Sequence, residues 1–203
     1  MKIIDALLTK GIRHGRAGRS VLPQGIVVHG STTPGATAMQ LRDFYERGTN
    51  GHHVSTHYII GLKGEIIRTV PENEAANHVG EAYSSKYIDA AKTGNGSYFG
   101  VEACHYDESG RFTEYTIAGL TELLADICKR HGFGADRVFT HEEITGQPCP
   151  LYYVKNKDAW EKLKKMVNAQ LISQAAVSDG AEAMIKAGRL AAAFVILQKL
   201  LRS

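Results

Sequence analysis

The 203-residue chain reads as an α/β domain with a mixed central β-sheet flanked by helices. Three features predict this: short β-branched apolar runs of strand length, one two-residue hairpin signal, and capped amphipathic stretches of helix length. A composition of 43% apolar and 22% charged residues is that of a globular domain large enough to bury a core. Residues 1–170 are assigned to this domain and residues 171–203 to a short C-terminal helical segment.

In chain order, residues 1–24 read as an arm leading into the first core strand. Residues 25–29 are apolar and β-branched and form a buried strand that ends on His29. A helix follows, with Thr37 and Gln40 at capping-box spacing, Gly48 just past its end, and Met39, Leu41, Phe44 and Tyr45 on one apolar side. Residues 57–62 and 65–70 flank Lys63-Gly64 as a hairpin. Residues 71–97 form a long loop rich in Pro, Asn, Gly and Ser, a kind of segment that tends to be functional in a compact domain. Tyr98 to Tyr106 is the next strand, closed by the turn Asp107-Glu108-Ser109-Gly110. Thr113 caps a helix over roughly 115–131, where Leu120, Leu123, Leu124 and Ile127 repeat at helical spacing and Gly132 stops it. Residues 137–139 lead into the stretch from Thr140 to Pro150, read as a loop. Trp160, Leu163, Met166 and Val167 mark a closing helix near residue 170. Ala181 to Leu201 is a further helix with a broad apolar face, suited to packing, self-association or contact with a wall or membrane surface.

Charge and cysteine content exclude several classes. A net charge of +3 is too small to argue for nucleic acid. Cys104, Cys128 and Cys149 are too few and too scattered for a disulfide framework. No apolar run is long enough to span a bilayer, and the N-terminus lacks the apolar core of a signal peptide. The expected location is the cytosol, from which something else must release the chain if it acts outside.

The chemistry concentrates in Thr140-His141-Glu142-Glu143-Ile144-Thr145-Gly146-Gln147-Pro148-Cys149-Pro150. An imidazole and a thiol stand eight residues apart there, and His29 ends a strand upstream. Two histidines and a cysteine suit Zn²⁺ and leave a fourth position for water, which separates a catalytic zinc site from a structural one.

These pieces resemble the zinc-dependent N-acetylmuramoyl-L-alanine amidases of the amidase-2 type, the family of phage endolysins, autolysins and animal peptidoglycan-recognition proteins. The resemblance covers roughly residues 20–168. It rests on Ile26-Val27-Val28-His29, Ser55-Thr56-His57-Tyr58-Ile59-Ile60, Asn77-His78-Val79-Gly80, Gly100-Val101-Glu102-Ala103-Cys104, and Thr140-His141-Glu142 with Cys149-Pro150. It implies that His29, His141 and Cys149 hold Zn²⁺ and that Glu102 is the general acid/base. It also implies a zinc cleft at one sheet edge and peptidoglycan as substrate, reached from the cytosol by a holin-type route, with His57 either facing the substrate or standing behind the metal donors, and His78 and Gln147 as substrate contacts. The chain departs from the family pattern twice. Thr56 stands where many relatives carry a tyrosine, and Gln147 stands where several carry an oxyanion-stabilising lysine. Two alternatives stand beside the wall-lysing reading: a non-catalytic peptidoglycan-binding module, and a zinc amidase acting on a soluble muropeptide.

Overall fold

A computed structural model describes residues 1–11, 15–48, 53–80 and 94–175. Six strands form one mixed sheet. They are β1 (Ile3–Asp5), β2 (Ile26–Gly30), β3 (Tyr58–Ile60), β4 (Ile66–Arg68), β5 (Phe99–Ala103) and β6 (Val138–Thr140), in the spatial order β1-β4-β3-β5-β2-β6. Only the β3–β4 hairpin pairs antiparallel; the other neighbours run parallel. Among the described residues five helices flank the sheet: α1 (Ala38–Arg47), α2 (Glu114–His131), α3 (His141–Thr145), α4 (Leu151–Lys155) and α5 (residues 157–175).

The two faces of the sheet differ, and that difference creates the site. Side chains alternate along a strand. Ile26 and Val28 of β2, Tyr58 and Ile60 of β3, and Phe99, Val101 and Ala103 of β5 share one continuous core with α2 and α5. On the other face the apolar cover comes in two patches. Ile59 and Ile67 pack under Leu41 and Tyr45 of α1, while Val27 packs with Val79, Tyr98, Phe139 and Ile144. Between the patches a row across the sheet reads Ile59, Glu102, His29 in register. The polar residues of β2 and β5 therefore lie in a gap in the second cover.

The helices follow their sequence signals. Thr37 and Gln40 form a reciprocal capping box on α1, and Gly48 closes it. Thr113 caps α2, and Gly132 ends it at φ 69°, in the left-handed region that glycine tolerates. Burial of Leu120, Leu123, Leu124 and Ile127 outweighs the caps. Each such side chain contributes about 1.5–3 kcal/mol, against about 1 kcal/mol for an N-cap.

Three expectations need correction. The N-terminal arm contains β1, which pairs with β4; a three-residue strand is too short to show a period. On α1 the buried positions are Ala38, Leu41 and Tyr45, whereas Met39 and Phe44 are 46% and 39% exposed. Thr140 to Pro150 is not all loop: Thr140 and Glu143 form a capping box that opens α3 at His141. The cleft lies over the carboxyl ends of β5, β2 and the edge strand β6, the usual place for a site on parallel strands. Helix α5 runs through the 170/171 boundary to residue 175, and the helix read at 181–201 lies outside the described residues. Among the described residues no helix is long and apolar enough to cross a membrane.

Candidate metal centre and cleft

His29 is the fourth residue of β2, and His141 is the first residue of α3, directly after β6. Parallel pairing of β2 with β6 brings these two strand ends together. Gly146, at φ 82°, ends α3 and turns the chain back, so that Cys149 returns to β2. The Cys149 Sγ accepts from the Gly30 N–H at 3.4 Å and stands 3.9 Å from His29 Nδ1. One donor atom each from His29, His141 and Cys149 lies within 4.8 Å of the other two. A tetrahedral ion with metal–N near ~2.05 Å and metal–S near ~2.3 Å would hold N and S about 3.6 Å apart. The observed spacing is close to that. Burial keeps both imidazoles neutral, as ligation requires: His29 is held well below the usual histidine range, and His141 is lowered to about 4. Burial, and then the nearby Glu102 charge, push the Cys149 thiol up to about 12. A divalent cation would supply the charge that ionises it.

Glu102 faces the same cleft from β5. Burial pushes its carboxyl up to about 7, and a hydrogen bond from Tyr45 partly opposes the rise. The Tyr45 hydroxyl donates to Glu102 Oε2 at 2.8 Å. Sequence reasoning placed Tyr45 only on an apolar helix face. Helical spacing signals that a tyrosine is buried, not what its hydroxyl meets.

The remaining site residues sort differently from the expectation. Gln147 is exposed and lines two adjoining clefts of about 350 and 570 Å³ that share His78 and His141. The smaller holds Glu102, Tyr45, Thr32 and Phe44; the larger holds His53, Asn77 and Asn95. His57 lies outside both clefts. It is fully buried, its Nε2 donates to the Glu74 carbonyl at 2.9 Å, and its Nδ1 accepts from the Gly100 N–H at 3.0 Å. With both nitrogens bonded to backbone it ties strands together and has none left for a substrate. His78 borders both clefts, but its ring is 3.0 Å from His29 on one side and from the Tyr98 carbonyl on the other, so it too has no free nitrogen. His53 also lines the larger cleft, with a buried Nδ1.

Residues 18–151 match the family described as N-acetylmuramoyl-L-alanine amidase. The chain belongs to this family. Two Bacillus licheniformis proteins are similar to it. A probable N-acetylmuramoyl-L-alanine amidase is 32% identical over 152 residues, covering 73% of this chain and 42% of its own length. The N-acetylmuramoyl-L-alanine amidase CwlL is 31% identical over 156 residues, covering 73% and 41%. The chain thus spans about two-fifths of the length of these relatives. A mutant endolysin from Bacillus subtilis superposes with a TM-score of 0.65 at 25% identity, covering 82% of this chain and 99% of that one. The mixed sheet and flanking helices are therefore the fold of endolysin catalytic domains.

Proposed function

We propose that this domain hydrolyses the amide between the lactyl group of N-acetylmuramic acid and L-alanine in peptidoglycan, using Zn²⁺ held by His29, His141 and Cys149. The observation that carries the reading is the convergence of those three donors beside a buried carboxyl, in a chain of this family. Two neutral imidazoles and one thiolate are a catalytic zinc donor set with a position to spare. Zinc bound there supplies Lewis-acid chemistry toward a carbonyl and toward water.

The protein's own groups do the rest. Glu102, ionised near neutral pH, takes the proton of the attacking water and delivers it to the leaving L-alanine nitrogen. Such a group contributes about 10²- to 10⁴-fold. Tyr45 holds one carboxyl oxygen, so the other is presented to the cleft. Gln147, at the mouth of both clefts, offers a neutral amide donor to the substrate or to the developing oxyanion. The complete donor set together with Glu102 favours cutting over binding alone.

The test is digestion of purified cell walls with mass spectrometry of the products. The expected products carry a new free L-alanine amine and leave the glycan strand intact. Cys149→Ser should lose zinc and lysis while keeping its fold, and Glu102→Gln should keep zinc and lose turnover. A chelated, metal-free sample that clears walls at the full rate would refute the zinc reading.

A further inference from the structure

Hydrogen bonds with His29, Tyr98 and Asn95 converge on the turn Asn77-His78-Val79-Gly80. We propose that this turn, clamped by Asn95, is the outer frame that fixes the tautomer of the His29 donor, with His78 and Asn95 as positioning residues. The proposal rests on the zinc reading above.

The tautomers follow from one fixed acceptor. The Tyr98 carbonyl only accepts, so the His78 Nε2 that lies 3.0 Å from it carries the proton. A neutral imidazole has one N–H, so His78 Nδ1 is an acceptor. His29 Nε2 lies 3.0 Å from that atom and must donate to it. The Nδ1 lone pair of His29 is then bare and faces Cys149. With the relay absent, His29 could hold its proton on either nitrogen, and one of the two choices blocks ligation.

Asn95 locks that turn. Its Oδ1 accepts the N–H groups of His78, Val79 and Gly80 at 2.8, 2.9 and 3.2 Å. Gly100 makes room for the relay. A Cβ there would stand 2.6 Å from His78 Cγ, so the ring occupies space over β5 that a side chain would fill.

The test is zinc affinity of metal-free protein, measured by competition with a chromophoric chelator, together with the visible spectrum of the Co²⁺ form. His78→Leu removes the relay, and Asn95→Ala removes the clamp. Each should weaken zinc by about 10- to 100-fold and change the Co²⁺ bands. His78→Asn places an amide oxygen where Nδ1 was, and should bind zinc within a few-fold of the parent. Asn95→Asp keeps the triple acceptor and should do the same. Parent protein that takes up no zinc would overturn the zinc reading itself. Parent binding with His78→Leu and Asn95→Ala unchanged would overturn the frame alone. If those two variants do not fold, a loss of 100-fold in the folded His78→Asn and Asn95→Asp variants overturns it equally, and near-parental affinity supports it.

Discussion

Replacing Tyr45 with Phe isolates one hydrogen bond in the site. The ring stays packed between α1 and the sheet, and only the hydroxyl that donates to Glu102 Oε2 at 2.8 Å is lost. A hydrogen bond to a charged group contributes about 1.5–3 kcal/mol. The phenol also bonds the protonated carboxyl, so the differential effect belongs near the low end, about 1.4 kcal/mol, or about one pKa unit. The carboxylate is the working form of Glu102, so losing a donor to it raises its pKa and moves the acid limb of kcat/KM to higher pH. From a starting value of about 7, the ionised fraction at pH 7 falls from about one half to about one tenth. The expected result is a roughly five-fold lower kcat/KM at pH 7, parity near pH 9, and an unchanged KM. A bound cation lowers both midpoints together, so the difference between the two profiles is the quantity to measure. Initial rates on purified wall fragments from pH 5 to 9 provide it. Superimposable acid limbs would refute the assignment of Tyr45 as the partner that tunes Glu102, and with it Glu102 as the titrating base.

Other perturbations separate structure from chemistry. His57→Leu leaves the Gly100 N–H and the Glu74 carbonyl unpaired in the core, a cost of about 2–5 kcal/mol and a fall in Tm of about 5–15 °C. Its zinc stoichiometry and KM should be unchanged; a raised KM at constant Tm would return His57 to a substrate role. Thr140→Ala removes the α3 capping box and should cost about 1 kcal/mol by urea unfolding; no loss would show that packing alone holds α3. Chelation should lower Tm, since zinc at 100-fold over its Kd stabilises by about 2.7 kcal/mol, and an identical Tm with and without zinc would argue against the donor set. Acid should destabilise metal-free Glu102→Gln protein, in which the opposing titration of that carboxyl is gone. His57 is depressed from 6.5 to about 4, so the unfolded chain takes up its proton first. Stability then falls as pH drops through that window, by about 3 kcal/mol from this residue alone, and urea midpoints that stay flat from pH 6.5 to 4 would contradict it.

Much of this site was legible because polar residues interrupt apolar strands. His29 ends Ile26-Val27-Val28, and Glu102 sits between Val101 and Ala103, positions where a charge is costly unless it has a task. The capping boxes of α1 and α3 are equally written in sequence, but α3 is only five residues long and Gly146 and Pro148 follow it at once, so its stretch has the composition of a loop. What was not legible depends on contacts distant along the chain. Tyr45 meets Glu102 across 57 positions, and His78 meets His29 across 49. No local pattern encodes either meeting, so His78 was read as a substrate contact and Tyr45 as packing. A glycine inside a strand admits a close approach, but nothing local to Gly100 names the His78 ring as what approaches it.

The uneven dressing of the sheet implies a two-beat rhythm along β5. Truncating Phe99 or Val101 should cost folding, because both point into the continuous core beneath α2 and α5. Altering Gly100 or Glu102, one step over, should leave a folded protein that no longer performs. Five consecutive residues would then sort, by parity alone, into those that hold the molecule together and those that give it something to do.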